Sequence, residues 1–147
     1  MASLSELLGS GDKRDRLVAD ALKVLDQEVD DKGGLSGIAI KTAYKIVKGV
    51  SPDFLQKVVE HLLPDFLSGL DPLYQEAVKN NVPPRKHLES NPGRVADALL
   101  SITDKRAQNA KNQMVKGAYE KLRGGAKKHV EAAVPRLGQL FEKHTSA

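Results

Sequence analysis

The stretch RLVADALKVLDQEVDDKGGLSG, residues 16–37, predicts how this chain folds. Near its end lie two glycines, Gly33 and Gly34, and glycine commonly follows a helix because it tolerates positive φ. The hydroxyl of Ser36 can then cap a following helix. Before the glycines, apolar residues recur at helical spacing and form one face, namely Leu17, Val18, Ala21, Leu22, Leu25 and Val29. The stretch therefore predicts a helix, a glycine connection and a second helix that begins near Ser36 or Gly37.

The segment GGLSGIAIKT, residues 33–42, does not match the ligand loops that it resembles at first sight. A phosphate loop needs glycines at the positions of Leu35 and Ile40. A nucleophile elbow needs one residue between the serine and the second glycine, but here Gly37 follows the serine directly. A calcium loop would need glycine in place of Asp31 and glutamate in place of Gly37. The segment is interpreted as a connector between helices.

Composition favours an all-α fold. The chain has 147 residues, of which 40% are hydrophobic, with three Phe, three Tyr, no Trp and no Cys. Its core must therefore be built from Leu, Val, Ile and Ala, and Leu and Ala favour helices. No alternating strand pattern is present. We expect one helical domain over residues 1–147, with about six or seven helices.

Several local signals predict helix ends. Ser3 and Glu6 have the spacing of a capping box, and residues 80–93 are predicted to form an irregular linker because of their Asn, Pro and Gly content. Proline at a first helical position predicts four helix starts, at Ser51-Pro52, Leu63-Pro64, Asp71-Pro72 and Asn91-Pro92.

Three sequence matches occur twice in the same order, which predicts an internal duplication. VADAL occurs at residues 18–22 and 95–99. KTAYKIVKG at 41–49 is similar to KGAYEKLRG at 116–124. The third pair is KVVEHLLPDFLSGL at 57–70 and KHVEAAVPRLGQLF at 128–141.

The matches define two three-helix units related by a pseudo-twofold axis, residues 16–70 and 94–141, with residues 71–93 as the connector. The second unit has no equivalent of GGLSG. Its first two helices are therefore expected to run together through residues 103–123. What the units share is apolar or helix-breaking, which indicates shared packing and not shared catalysis.

Two segments carry a resemblance to a known family. DKGGLSGIAIKTAYK (31–45) and LLPDFLSGLDPLY (62–74) resemble a family of small uncharacterised bacterial proteins, chiefly actinobacterial, with a GGLSG-x-x-x-KTAYK segment and a Leu-Pro-x-Phe segment. The resemblance implies a bacterial cytoplasmic protein and no particular activity. The chain also has no secretory leader pattern and no apolar run of membrane-spanning length, so a cytoplasmic location is expected.

The sequence favours a non-enzymatic function without a metal or cofactor. Tyr44 and Tyr119, which correspond between the units, are interpreted as core aromatics with their hydroxyls at the rim. The histidines lack the spacing of a metal site, and they are His61, His87, His129 and His144.

An acidic cluster lies at the predicted end of the first long helix, where the helix dipole disfavours negative charge. Solvation of a surface cluster is the favoured interpretation, and a basic partner from the second unit is the alternative. The cluster consists of Asp26, Glu28, Asp30 and Asp31.

Charge separates the two units. Residues 16–70 carry seven bases and eight acids, whereas residues 94–141 carry ten bases and four acids. Residues 105–128 contain one acid, Glu120, and eight bases proposed to bind an anionic partner: Lys105, Arg106, Lys111, Lys116, Lys121, Arg123, Lys127 and Lys128.

The preferred function is therefore a binding or scaffold protein that presents this basic face to an anionic partner. The partner could be nucleic acid, an acidic protein face, or an anionic lipid surface that also meets the neighbouring apolar stripe. A solvated face without a ligand stays open, as does a carrier or enzyme with an apolar pocket between the units. The stripe consists of Met114, Val115, Ala118, Tyr119 and Leu122.

Overall fold

Seven α-helices follow one another in the computed structural model, which describes residues 3–145 apart from the side chains of residues 35 and 36. No strand occurs within these residues, so the predicted all-α single domain is confirmed. The twofold relation between the units stays a prediction. The helices are α1 (Leu4–Leu8), α2 (Gly11–Asp31), α3 (Gly34–Lys48), α4 (Phe54–Lys79), α5 (Pro84–Ser90), α6 (Pro92–Gln108) and α7 (Gln113–Thr145).

The closed core occupies one end of the bundle, where α1, the start of α2, the middle of α4, α5, the start of α6 and the end of α7 meet. Aliphatic side chains fill it, as the composition predicts, and Phe141 is its one aromatic residue among those described. The core residues are Leu4, Leu8, Leu17, Val18, Leu63, Leu67, Leu70, Leu73, Leu88, Val95, Val134, Leu140 and Phe141.

The glycine segment connects two helices, as predicted. Helix α2 ends at Asp31, and α3 begins at Gly34, slightly earlier than expected. Gly34 has a φ of 69°, which favours glycine. A Cβ atom at Gly37 would lie 2.7 Å from the backbone of Lys32, so glycine is needed there for close approach. The proposed cap by the side chain of Ser36 lies outside the described residues.

Of the four prolines predicted to start helices, two lie at or before a helix start and two lie inside a helix. Pro92 starts α6 as predicted, and Pro52 lies in the turn before α4. The starts predicted at Pro64 and Pro72 are wrong, because both residues lie inside α4. A proline cannot donate to the carbonyl four residues earlier, which for Pro64 is the carbonyl of Glu60.

An arginine from a neighbouring helix supplies the donor that Pro64 lacks. Arg14 of α2 donates to the carbonyl of Glu60 over 3.4 Å. Arg106 of α6 donates to the next carbonyl, that of His61, over 3.3 Å. A tertiary contact thus satisfies the carbonyl that Pro64 leaves without a donor inside the helix.

Two other predicted segments differ from the structure, and one predicted helix cap is confirmed. The linker predicted at residues 80–93 contains α5, and residues 71–79 belong to α4. The continuous helix predicted for 103–123 is interrupted between α6 and α7, where the side chain of Asn112 accepts from the amides of Met114 and Val115 at 3.0 and 3.1 Å. At the N-terminus, Ser3 caps α1 by accepting from the amide of Glu6, as predicted.

Candidate functional site: an apolar cavity between the helices

The end of the bundle opposite the closed core contains a cavity of about 600 Å³. The end of α2, most of α3, the start of α4, the end of α6 and the start of α7 surround it. Its walls are mainly apolar, and most of their side chains remain partly exposed. Seven of them represent all five helices: Leu25, Ile40, Val47, Phe54, Leu62, Ala107 and Leu122.

The apolar stripes of the sequence include these residues, but helical spacing alone does not predict that they line a cavity. Leu25 belongs to the same apolar stripe as Val18, which is buried in the closed core. Leu62 likewise lies next to the core residue Leu63 in α4. The apolar stripe at the start of α7 also faces the cavity, through Val115, Ala118, Tyr119 and Leu122, while Met114 is 68% exposed.

The charged residues that line the cavity are all basic. They are Lys57 of α4, Arg106 of α6 and Lys116 of α7, and His61 lies beside them. No carboxylate is among the described residues of the lining. Two residues of the predicted basic face, Arg106 and Lys116, therefore line the cavity. Lys57 and His61 come from the first unit, where the sequence did not predict a binding site.

Tyr44 lines the cavity with its ring and holds α3 to α2 with its hydroxyl. The hydroxyl donates to the carboxylate of Asp26, and the ammonium of Lys48 lies 3.6 Å from the same carboxylate. That ammonium also lies 5.0 Å from the centre of the Tyr44 ring. Burial raises the pKa of Tyr44 well above its ordinary value, and the Asp26 carboxylate adds to this effect.

Tyr119 has a corresponding arrangement between α7 and α6. Its hydroxyl donates to Asp104 over 2.6 Å, and Arg123 donates to the same carboxylate oxygen over 2.7 Å. Burial, followed by the Asp104 contact, raises the pKa of Tyr119. Both phenols are thus neutral hydrogen-bond donors near neutral pH, as expected for structural tyrosines and not for catalytic bases.

The two groups use positions that correspond in the predicted repeat. Tyr44 aligns with Tyr119, and Lys48 aligns with Arg123. Their aspartates are one residue out of register, because Asp26 lies eight residues after the first VADAL begins and Asp104 lies nine after the second. Each group joins the first helix of its unit to the next helix.

The eight predicted basic-face residues fall into two classes. Three are paired, since Arg106 lies 3.5 Å from Asp65, Arg123 lies 2.7 Å from Asp104, and Lys127 lies 3.1 Å from Asp97. The other five make no ion pair with any residue between positions 3 and 145. They are Lys105, Lys111, Lys116, Lys121 and Lys128.

The acidic cluster has partners within the chain. Arg136 of α7 contacts Glu28 at 2.8 Å and also contacts Asp31. Lys32 donates to Glu28 over 3.2 Å. Two of the four acids, Glu28 and Asp31, therefore contact a base of the second unit, as the alternative interpretation expected, whereas Asp26 pairs with Lys48 of the first unit. The contacts of Arg136 join α2 to α7.

The histidines occupy separate places. His87 bonds to Glu76 at 3.0 Å, and His144 bonds to Asp20 at 2.7 Å. Burial, with the nearby charge of Lys32, lowers the pKa of His129. Within residues 3–145, no three His, Asp or Glu side chains converge as metal ligands would.

None of the helices formed by the described residues is both long enough and apolar enough to cross a membrane. No match was found among curated proteins or among solved structures. Residues 4–145 match a family of unknown function (DUF6918). That match covers nearly the whole chain, and the protein therefore belongs to this family.

Proposed function

We propose that the protein binds an elongated apolar small molecule in the cavity between its helices, as a carrier or storage protein does. The observation that carries this proposal is the cavity itself, because apolar side chains of five helices surround about 600 Å³ of space. Ligand sites usually have volumes of about 300–1,000 Å³ and mainly apolar walls.

The polar groups around the cavity support binding and not catalysis. The phenols of Tyr44 and Tyr119 are bonded to aspartates, and the ring nitrogen Nδ1 of His61 lies 2.7 Å from the carbonyl of Lys57. A general base must reach a substrate proton with a free acceptor atom. The Nδ1 atom of His61 must donate to that carbonyl, which leaves Nε2 as an acceptor, but no described residue of the lining is a carboxylate that could act with it.

The test uses a neutral dye, N-phenylnaphthylamine, whose fluorescence rises in apolar surroundings. We expect saturable binding to the wild-type protein. Replacing Ala43, which lines the cavity, by Trp should lower the affinity by roughly tenfold, because the indole occupies part of the volume.

The matched control is Ala19→Trp, at an exposed alanine of α2 that does not line the cavity. It should leave dye binding unchanged, and thermal unfolding of both variants verifies that they fold. A dye that does not bind the wild-type protein, or equal losses in both variants, would contradict the proposal.

A basic-face function is the second candidate, supported by the five lysines that make no ion pair within the described residues. Lysines free of acids can neutralise the phosphates of nucleic acid, and such binding weakens steeply with salt. An acidic protein face or an anionic lipid surface would be attracted by the same charges.

This candidate is tested by fluorescence anisotropy with duplex DNA at two salt concentrations. Changing Lys111, Lys121 and Lys128 to Glu should remove most of the affinity and of its salt dependence. The control changes three exposed lysines of the first half, Lys13, Lys41 and Lys45, to Glu, which alters net charge equally. Equal losses would attribute binding to net charge alone, and no binding at low salt would exclude nucleic acid.

A cytoplasmic location in a bacterium is part of the same proposal. It is supported by the resemblance of residues 31–45 and 62–74 to bacterial sequences and by the absence of cysteine from the 147 residues, which is typical of proteins that need no disulfide. Fractionation of cells that express the tagged full-length chain tests it, and recovery with membranes or outside the cells would contradict it.

A further inference from the structure

We infer that the ligand of the cavity is an anionic amphiphile, with an apolar chain between the helices and a carboxylate or phosphate head at the basic residues. This inference rests on the proposed function, because it assigns the chemical class of the molecule that occupies the same cavity.

The charges of the lining have one sign. Lys57, Arg106 and Lys116 come from three different helices, α4, α6 and α7, and no described residue of the lining is a carboxylate. A chain with 19 acidic residues could have placed some of them here. An apolar cavity with cations alone at its polar positions repels a cationic head and gives a neutral head no charge partner.

The pairing of these cations leaves them available to a ligand. Lys116 makes no ion pair with any described residue. Lys57 lies 3.1 Å from Asp53, and Arg106 lies 3.5 Å from Asp65. These acids do not line the cavity, and such exposed pairs contribute little, so an anionic head can compete with them.

Exposure indicates where the head would lie. The side chains of Lys57 and Arg106 are 63% and 52% exposed, so their charged ends remain in contact with water. An anionic head beside them would keep part of its hydration and avoid the large cost of burying a charge. The apolar chain would meet the partly exposed side chains inside, where contact with water is unfavourable.

The two acids bonded to the cavity tyrosines each have a cation of their own. Asp26 and Asp104 are the carboxylates nearest to the cavity tyrosines, and each accepts the hydroxyl of its tyrosine. Each also has its own cation, Lys48 or Arg123. These two negative charges are therefore neutralised by residues outside the lining.

The experiment compares three amphiphiles with the same chain and different heads, each displacing N-phenylnaphthylamine from the full-length protein below its micelle concentration. They are dodecanoate, dodecanol and dodecyltrimethylammonium, with dodecyl phosphate as a fourth ligand that separates phosphate from carboxylate recognition. At low salt we expect dodecanoate or dodecyl phosphate to bind about tenfold more tightly than dodecanol, and the ammonium compound to bind most weakly.

The matched variants are Lys116→Gln and Lys121→Gln. Both lysines lie on α7 and make no ion pair with described residues, but only Lys116 lines the cavity. Lys116→Gln should weaken anion binding by about threefold to tenfold and leave dodecanol binding unchanged, while Lys121→Gln should change neither. Arg106→Gln is a second variant with the same expected effect, provided that its thermal unfolding verifies the fold.

The outcomes separate the two proposals. If the dye binds but the heads do not differ, or if Lys116→Gln weakens dodecanol equally, the assignment of an anionic head is wrong and cavity binding stands. If the dye binds and none of the amphiphiles displaces it, the amphiphile assignment is also wrong. If the dye itself does not bind, the proposed function fails and the inference fails with it.

Discussion

Glu76 connects three helices through a single carboxylate. It lies in α4 and accepts two hydrogen bonds from the guanidinium of Arg94 in α6, at 2.9 and 2.7 Å. The imidazole of His87 in α5 lies 3.0 Å from the same carboxylate. Arg94, with a smaller effect of His87, lowers the pKa of Glu76 from 4.5 to about 2.

This contact predicts acid sensitivity. Because the folded-state pKa of Glu76 is depressed, its stabilising effect is present above about pH 4.5 and is lost as the pH falls toward 2. The free energy of unfolding of Glu76→Gln should therefore fall less steeply than that of the wild type across this window. Urea denaturation at a series of pH values measures it.

The control for this prediction is Glu120→Gln. Glu120 is an exposed glutamate of α7 that forms no ion pair with described residues. Its substitution should leave the pH dependence of unfolding close to that of the wild type. The same slope for Glu76→Gln as for the wild type would show that the three-helix contact does not form in solution.

At the scale of elements, a neighbouring helix supplies the donor that α4 lacks at Pro64. The carbonyl of Glu60 has no amide partner at position 64, because that residue is a proline, and it accepts from Arg14. The next carbonyl, that of His61, also accepts from Arg106. An unsatisfied carbonyl in a partly buried position costs free energy comparable to a lost hydrogen bond. The two arginines thus connect α2 and α6 to the proline position of α4.

A double-mutant cycle between Arg14 and Pro64 tests this connection. In the wild type, Arg14→Ala should lower the free energy of unfolding by about 1 kcal/mol, because the carbonyl of Glu60 loses its donor. In a Pro64→Ala background the new amide at position 64 can donate to that carbonyl. The cost of Arg14→Ala should then become smaller, with a coupling of about 1 kcal/mol. Additive effects in urea denaturation would contradict the assignment.

For the whole molecule, the closed core requires both halves of the chain. Leu17, Leu67 and Leu70 come from the first half, and Val134 and Phe141 come from α7. Helix α7 also contacts α2, α3, α5 and α6. The two units are therefore interdependent parts of one domain.

This interdependence predicts the behaviour of fragments 1–80 and 81–147. Each alone should lack a cooperative thermal transition in circular dichroism, because each loses the partner that covers its apolar stripes. Mixing the fragments should restore helicity and one cooperative transition. A cooperative transition in either isolated fragment would identify an independently folding unit and contradict the prediction.

The corresponding contacts of Tyr44 and Tyr119 also concern the whole molecule. We propose that the Asp26, Tyr44 and Lys48 group and the Asp104 and Tyr119 group with its arginine descend from one duplicated unit. The proposal is supported by their alignment in the repeat and by their equivalent role of joining the first helix of each unit to the second. If so, Tyr44→Phe and Tyr119→Phe should lower the free energy of unfolding by similar amounts, each about 1 kcal/mol.

The sequence by itself determined most of the helical segments. Apolar residues at helical spacing, Ser3 as a cap, Gly34 between helices and Pro92 at a helix start are local signals, and the structure agrees with each of them. Such signals act within a few residues because they satisfy or remove backbone hydrogen bonds at helix ends. The excess of basic residues in the second half is equally a property of the sequence.

Only the tertiary structure decided which parts of the apolar stripes close into a core and which surround a cavity. Leu67 and Leu62 belong to the same helix, yet Leu67 is fully buried and Leu62 faces the cavity. Pro64 lies inside a helix, and the carbonyl that it leaves without an amide accepts from Arg14 of another helix. These outcomes depend on which helix faces meet across long separations in the chain. Local periodicity specifies an apolar face, but the packing of the other helices specifies what that face contacts.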